Sequence, residues 1–169
     1  MDTITQPLRE EHRELLPEIE RIRRVADAVG LVPAAVLSER VQEIRTFLSH
    51  ELIPHARAED VVMYPVVARV MGAPEATATM RHDHVEVAGL AEELAALEPE
   101  LSAPTFPLEV EQALRLILYG LYALVKVHFV EEEEIYLPLL DERLEADEAR
   151  EMFHAMEAAA SHEKALGAT

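Results

Sequence analysis

The chain has 169 residues and a mass of 18.9 kDa, the size of one domain. Half of it is hydrophobic but only 5% is aromatic, with no Trp, so the core must be aliphatic, a composition that favours helices over sheets. Fifteen Lys and Arg against 33 Asp and Glu give a formal charge of -18, and Cys is absent; this argues against nucleic-acid and membrane-surface partners and excludes disulfides, thiolate-held zinc and iron–sulfur clusters.

Met1 to Leu8 has neither a basic n-region nor an apolar h-region, so no signal peptide is expected and the chain reads as soluble and cytoplasmic. Thr5 and Pro7 suit the start of a first helix, and Gly30 its end. A second helix follows Pro33 and runs to Met71–Gly72; a third starts at Pro74 and fades at Glu98–Pro99. Three prolines between Glu98 and Pro107 mark the one long loop. A fourth helix extends to about Arg143. Its apolar stretch, Leu114 to Val130, is broken by Arg115, Lys126 and His128, as in a core helix rather than a membrane span. A shorter fifth helix covers Asp147 to Leu166. Pro17, Pro54, Pro65 and Pro138 fall inside helical pattern, where each removes a backbone bond and bends its helix. Residues 1–145 therefore form the expected bundle, and 146–169 a C-terminal helix packed on it or trailing from it.

Each long helix carries an apolar stripe with helical spacing: Leu8, His12, Leu15, Ile19, Ile22, Ala26 and Val29 on the first; Leu48, Leu52, His55, Glu59, Val62 and Val66 on the second. The third gives Thr77, Met80, His84, Val87, Ala91 and Leu94, and the fourth Leu114, Ile117, Leu121, Leu124, His128, Glu132, Ile135 and Leu139. The fold expected is all-α, an antiparallel four-helix bundle with an additional C-terminal helix.

Polar residues interrupt these stripes. His12, His55, His84 and His128 contribute one imidazole per helix, and Glu59 and Glu132 add carboxylates. An unpaired buried carboxylate is costly, so each needs a strong partner. His55–Glu59 and His128–Glu132 are i,i+4 pairs, whose side chains point the same way. Measured from one end of the bundle, His12, Glu59, His84 and Glu132 lie at depths that agree within roughly 10 Å at 1.5 Å per residue. A lone seam histidine is usually a hydrogen-bonded core residue and a lone HxxxE usually a surface pair. Six such groups at one depth point instead to a metal site. Nitrogen and carboxylate donors without sulfur suit iron or manganese.

Glu11-His12 with His55-x-x-x-Glu59-Asp60 and Pro65 repeats as Asp83-His84 with His128-x-x-x-Glu132-Glu133 and Pro138. The order His, HxxxE, His, HxxxE over residues 5–143 resembles the hemerythrin-like, or HHE cation-binding, family. Ferritin-like bundles, the nearest rival, instead use Glu on two helices and Glu-x-x-His on two. The resemblance implies two non-haem iron ions, with His12, His55, His84 and His128 as terminal ligands and Glu59 and Glu132 as bridges. One feature departs from oxygen-carrying members. Their second histidine on the third helix would fall at Met80 or Ala88, and His82 faces nearly opposite. The centre then has an additional open position or borrows Glu133 or Asp60, which favours reaction with an oxidant over simple oxygen carriage.

Other candidates are weaker. His50, His154 and His162 are expected on the surface, Tyr136 in the core, and Glu131 to Glu134 mostly in water. The expected function is binding and reaction of O2, peroxide or nitric oxide, with catalase-like turnover as the resemblance implies. The alternatives are an iron or oxygen sensor without turnover and an acidic helical scaffold.

Overall fold

The structure is a computed structural model that describes residues 3–167. Among the described residues there are helices and no strands. Helix α1 spans Gln6–Ala28, α2 residues 34–71, α3 Ala78–Ala96, α4 Leu108–Arg143 and α5 Ala146–Gly167. The loop between α3 and α4 includes a one-turn helix, Glu98–Leu101, where Pro99 sits in the first turn, a position that needs no N–H. Helices α1, α2, α3 and α4 follow one another around the bundle, and α4 closes it by packing on α1 and α3. Helix α5 does not trail: it lies along the middle of α2 and buries Ala149, Met152 and Met156.

The start of α1 departs from the expected side-chain cap. Thr5 makes no capping bond; its hydroxyl accepts from Arg9 and its backbone N–H donates to Asp141 at 2.9 Å, tying α1 to the end of α4. Helix α2 ends at Gly72, whose φ of 64° lets the Ala73 N–H reach back to the Ala68 carbonyl.

Three of the internal prolines have a specific consequence. Pro54, Pro65 and Pro138 each follow a π-helical turn, at Leu48–Leu52, Glu59–Met63 and Glu132–Tyr136. The N–H groups of Ile53, Tyr64 and Leu137 bond five residues back, to the carbonyls of Leu48, Glu59 and Glu132. A proline offers no N–H and its ring crowds the carbonyl four residues earlier, and a widened turn before it accommodates both. Pro17 causes no such turn and lies within an uninterrupted α1.

The π-turns opened by Glu59 and Glu132 each insert one residue, so the buried stripe slips by one position beyond them, whereas Leu52, His55 and Glu59 are buried as expected at and beyond the first turn. Downstream of Glu59 the core positions are Met63, Tyr64 and Val67, while the expected Val62 and Val66 are half-buried. Downstream of Glu132 they are Tyr136, Leu137 and Leu140; the expected Ile135 is exposed and Leu139 half-buried. The α1 stripe is buried as expected throughout.

The core is divided in two. One apolar cluster includes Leu15, Leu52, Val87, Val125 and Phe129, and a second includes Leu8, Met63, Tyr64, Met80, Tyr136 and Leu137. On every helix of the bundle the residue or pair between the two clusters is polar: His12, His55 with Glu59, His84, and His128 with Glu132.

Candidate metal centre

All six polar seam residues meet in this layer. His12, His55, Glu59 and Glu132 each offer an atom within 4.8 Å of the others, and Glu59, His84 and His128 form a second such group. Glu59 and Glu132 are fully buried, and His12, His55 and His128 nearly so. The two carboxylates lie between two pairs of imidazoles, and each divides its oxygens between them. Glu59 places Oε1 3.0 Å from His55 Nε2 and 3.7 Å from His12 Nε2, and Oε2 3.4 Å from His84 Nε2. Glu132 places Oε2 3.4 Å from His12 Nε2 and Oε1 3.6 Å from His128 Nε2.

The other nitrogen of every ring is held from outside. Glu11 lies 3.1 Å from His55 Nδ1, Asp60 2.9 Å from His84 Nδ1, Asp83 3.3 Å from His128 Nδ1 and Glu133 3.0 Å from His12 Nδ1. An ionised carboxylate only accepts, so each Nδ1 carries a proton and each Nε2 is the atom turned inward, a ligand once its ring is neutral. The four bonds run in one direction around the bundle: α1 holds an imidazole of α2, α2 one of α3, α3 one of α4, and α4 one of α1.

The inward atoms lack partners of their own. His12 Nε2, His55 Nε2, both oxygens of Glu59 and Oε2 of Glu132 are buried without a hydrogen bond. His84 Nε2 and His128 Nε2 face each other at 3.0 Å, so close that no more than one of them can carry a proton. Each buried unsatisfied polar group costs about 1–3 kcal/mol, and charged ones more. Cations among these atoms would remove the penalty. The residues fit metal: nitrogen and oxygen donors converge, they are otherwise orphaned, and the outer bonds fix their orientation.

A family model described as the hemerythrin HHE cation binding domain matches residues 3–140. The chain belongs to that family. Comparison with the curated proteins and with the solved structures finds no match. This HHE domain is accordingly a cation-binding helical bundle with a buried His/Glu cluster compatible with iron.

Electrostatics across the HHE centre are uneven. Burial opposes ionisation of Glu59, yet His55, His12 and His84 outweigh it and hold its carboxyl well below the usual range. Burial and the Glu59 charge push Glu132 well above it. Burial also works against a charged His55, but Glu59 and Glu11 raise that ring well above an ordinary imidazole. His84, likewise opposed by burial, is raised to about 8 by Asp60 and Glu59. His128 is lowered, by burial and by the neighbouring His84, despite Glu59 and Asp83.

Sequence reasoning missed Tyr64. It is fully buried, and its hydroxyl donates to Glu132 Oε1 at 2.7 Å while lying 3.2 Å from His128 Nε2 and 3.5 Å from His84 Nε2. The Tyr64 side chain reaches the centre because the π-turn between Glu59 and Tyr64 rotates it inward; an unbroken α-helical count sets Val62 and Val66 on that face instead. The available signal was the proline at position 65. Glu11 and Asp83 were also missed as ring holders, although both sit inside the repeated motif.

Glu133 and Asp60 face the outer nitrogens of His12 and His84. His82 is 77% exposed and directed at Glu86. His50, His154 and His162 are exposed, and the Tyr136 hydroxyl donates to the Ala76 carbonyl at 3.1 Å.

Proposed function

We propose that this HHE domain holds two iron ions and reacts there with a small oxidant, O2, peroxide or nitric oxide. The observation that carries the reading is the division of the Glu59 and Glu132 oxygens between two imidazole pairs. His12 and His55 would hold one ion and His84 and His128 the other, with both carboxylates shared between them. Tyr64 would add an oxygen on the His84–His128 side. An iron pair so held supplies electrons and open coordination positions for a small oxidant.

The chain's own residues then do three things. The outer carboxylates keep all four imidazoles aimed inward, so that the donors need no reorganisation when the oxidant arrives. The two apolar clusters exclude bulk water from above and below the polar layer, which strengthens every electrostatic contact within it. Tyr64 holds a donor hydrogen at its hydroxyl, 2.7 Å from Glu132 and facing the space between His84 and His128. Phe129 stacks on His12 with ring centroids 4.3 Å apart. Donors buried this deeply suit a diatomic gas or peroxide rather than a bulky substrate.

Peroxide consumption with oxygen evolution by the iron-reconstituted protein tests this reading. Turnover that is lost in His128→Ala and kept in His154→Ala supports it. Absence of turnover, together with a large metal-dependent change in helicity or protease resistance, favours a sensor. Failure to retain any metal after iron supplementation leaves only the scaffold reading.

A further inference from the structure

We propose that α5 builds the entrance through which hydrated divalent cations reach the buried centre. Helix α5 stands outside the four-helix bundle. It rests on α2 and leaves, between itself and α1, an open cavity of about 860 Å³. His55 and Glu11 are in the walls of that cavity. The pair leads straight to the centre: Glu11 lies 3.1 Å from His55 Nδ1, and His55 Nε2 lies 3.0 Å from Glu59 Oε1. His55 Nε2 and Glu59 Oε1 are buried without a hydrogen bond, so orphaned donors stand one imidazole behind the cavity wall.

Charge in the cavity favours a cation. Glu10, Glu11 and Glu14 line the α1 side and Glu157 the α5 side, against Arg150 and Lys164. Arg150 is already paired with Asp147 at 2.8 Å. Among the described residues Glu10, Glu14 and Glu157 make no ion pair, and Glu10 accepts only from Gln6. Carboxylates three and four residues apart on one helix repel one another, and a cation among them is the partner that the chain does not supply. Leu8, Ala149 and Phe153 add low-dielectric walls, which focus the field and raise the local concentration of counter-ions.

The cavities beside the other imidazoles differ. The one at His12 carries Arg9, Arg13 and Lys126 with Glu133 and Glu134, and the one at His84 sets Arg57 against Asp60 and Glu92. Glu11 is also the most open of the four outer carboxylates, 48% exposed against 31% or less for the rest. Arg9 grips Glu133, whereas no Arg or Lys pairs with Glu11 among the described residues. A cation that reaches the cavity therefore meets an accessible carboxylate already bonded to a residue of the centre.

Anaerobic stopped-flow mixing of the metal-free full chain with ferrous iron tests the route, because it reads the rate of uptake apart from the amount held. The triple variant Glu10→Gln, Glu14→Gln, Glu157→Gln changes only exposed side chains. It should take up iron at least about fivefold more slowly than the parent at low ionic strength, with the gap narrowing in salt. The iron held at the end should equal that of the parent. Glu39→Gln, Glu93→Gln, Glu109→Gln makes the same change in total charge at exposed sites outside the cavity and should match the parent rate. Parent-rate uptake in the cavity variant, or equal slowing in the control, overturns the route and leaves the two-ion centre standing. A parent chain that takes up no iron overturns both, since the route rests on a centre that holds cations.

Discussion

Glu133 shows what a side chain outside the centre does for one within it. Its carboxylate accepts from His12 Nδ1 and is itself gripped by Arg9, which also reaches Asp141 at 3.2 Å. Glu133→Gln and Asp60→Asn should each weaken cation affinity by about 10–100-fold while leaving two ions bound at saturation, as measured by competition against a chelating dye. Unchanged affinity in both would mean that the outer bonds are incidental. Removal of an inward donor is a different change. His128→Ala and Glu59→Ala should lose metal outright, whereas His154→Ala and His162→Ala should retain it, read by elemental analysis after desalting. Equal loss in His154→Ala would contradict the assignment. The six inward residues were legible in the sequence because each interrupts an apolar stripe. The outer four were less so. Glu11 and Asp83 are charged neighbours of a histidine, and nothing in helical periodicity says that such a group reaches across to the next helix.

At the scale of the element, the π-turns of α2 and α4 decide what the donors meet. Glu59 and Glu132 each open such a turn, and the extra residue carries Tyr64 and Tyr136 to the core side. Deletion of Val61, which is exposed within the first turn, restores an α-helical count in which Glu59, Met63, Tyr64 and Val67 still share one face. The variant should keep its helicity by circular dichroism, yet bind cations at least about tenfold more weakly, because the spacing between Glu59 and Tyr64 changes. Affinity equal to that of the parent would show that the turn only accommodates Pro65. The same geometry explains where the sequence reading failed. The stripes were correct up to the π-turns that Glu59 and Glu132 open and one residue out beyond them, which is why Ile135 was expected inside and Leu137 was not. Helical periodicity assumes a constant turn, and a proline inside the helix marked where that assumption fails.

For the molecule as a whole, the polar layer separates two apolar clusters that would otherwise be continuous. Five buried atoms in that layer have no hydrogen bond, so the metal-free fold bears a penalty that bound cations relieve. Loading to about 100 times the dissociation constant should add about 2.7 kcal/mol for each ion bound. In a chain of this size that corresponds to a rise in Tm of about 5–10 °C per ion, reversed by a chelator. A melting temperature indifferent to metal would imply that the orphaned atoms are satisfied in some other way. Fold class and element order were legible from breakers and stripes alone. The close docking of α5 on α2 was not, because its buried residues, Ala149, Met152 and Met156, are few and small or flexible.

We propose that side chains from four helices hold a pair of cations between Glu59 and Glu132. Element-resolved stoichiometry, after anaerobic loading with ferrous iron and removal of free metal, is the decisive measurement. Two irons per chain are expected in the parent, and loss of bound iron in Glu59→Ala. A parent protein that retains none, or a Glu59→Ala variant that still holds two, would contradict it.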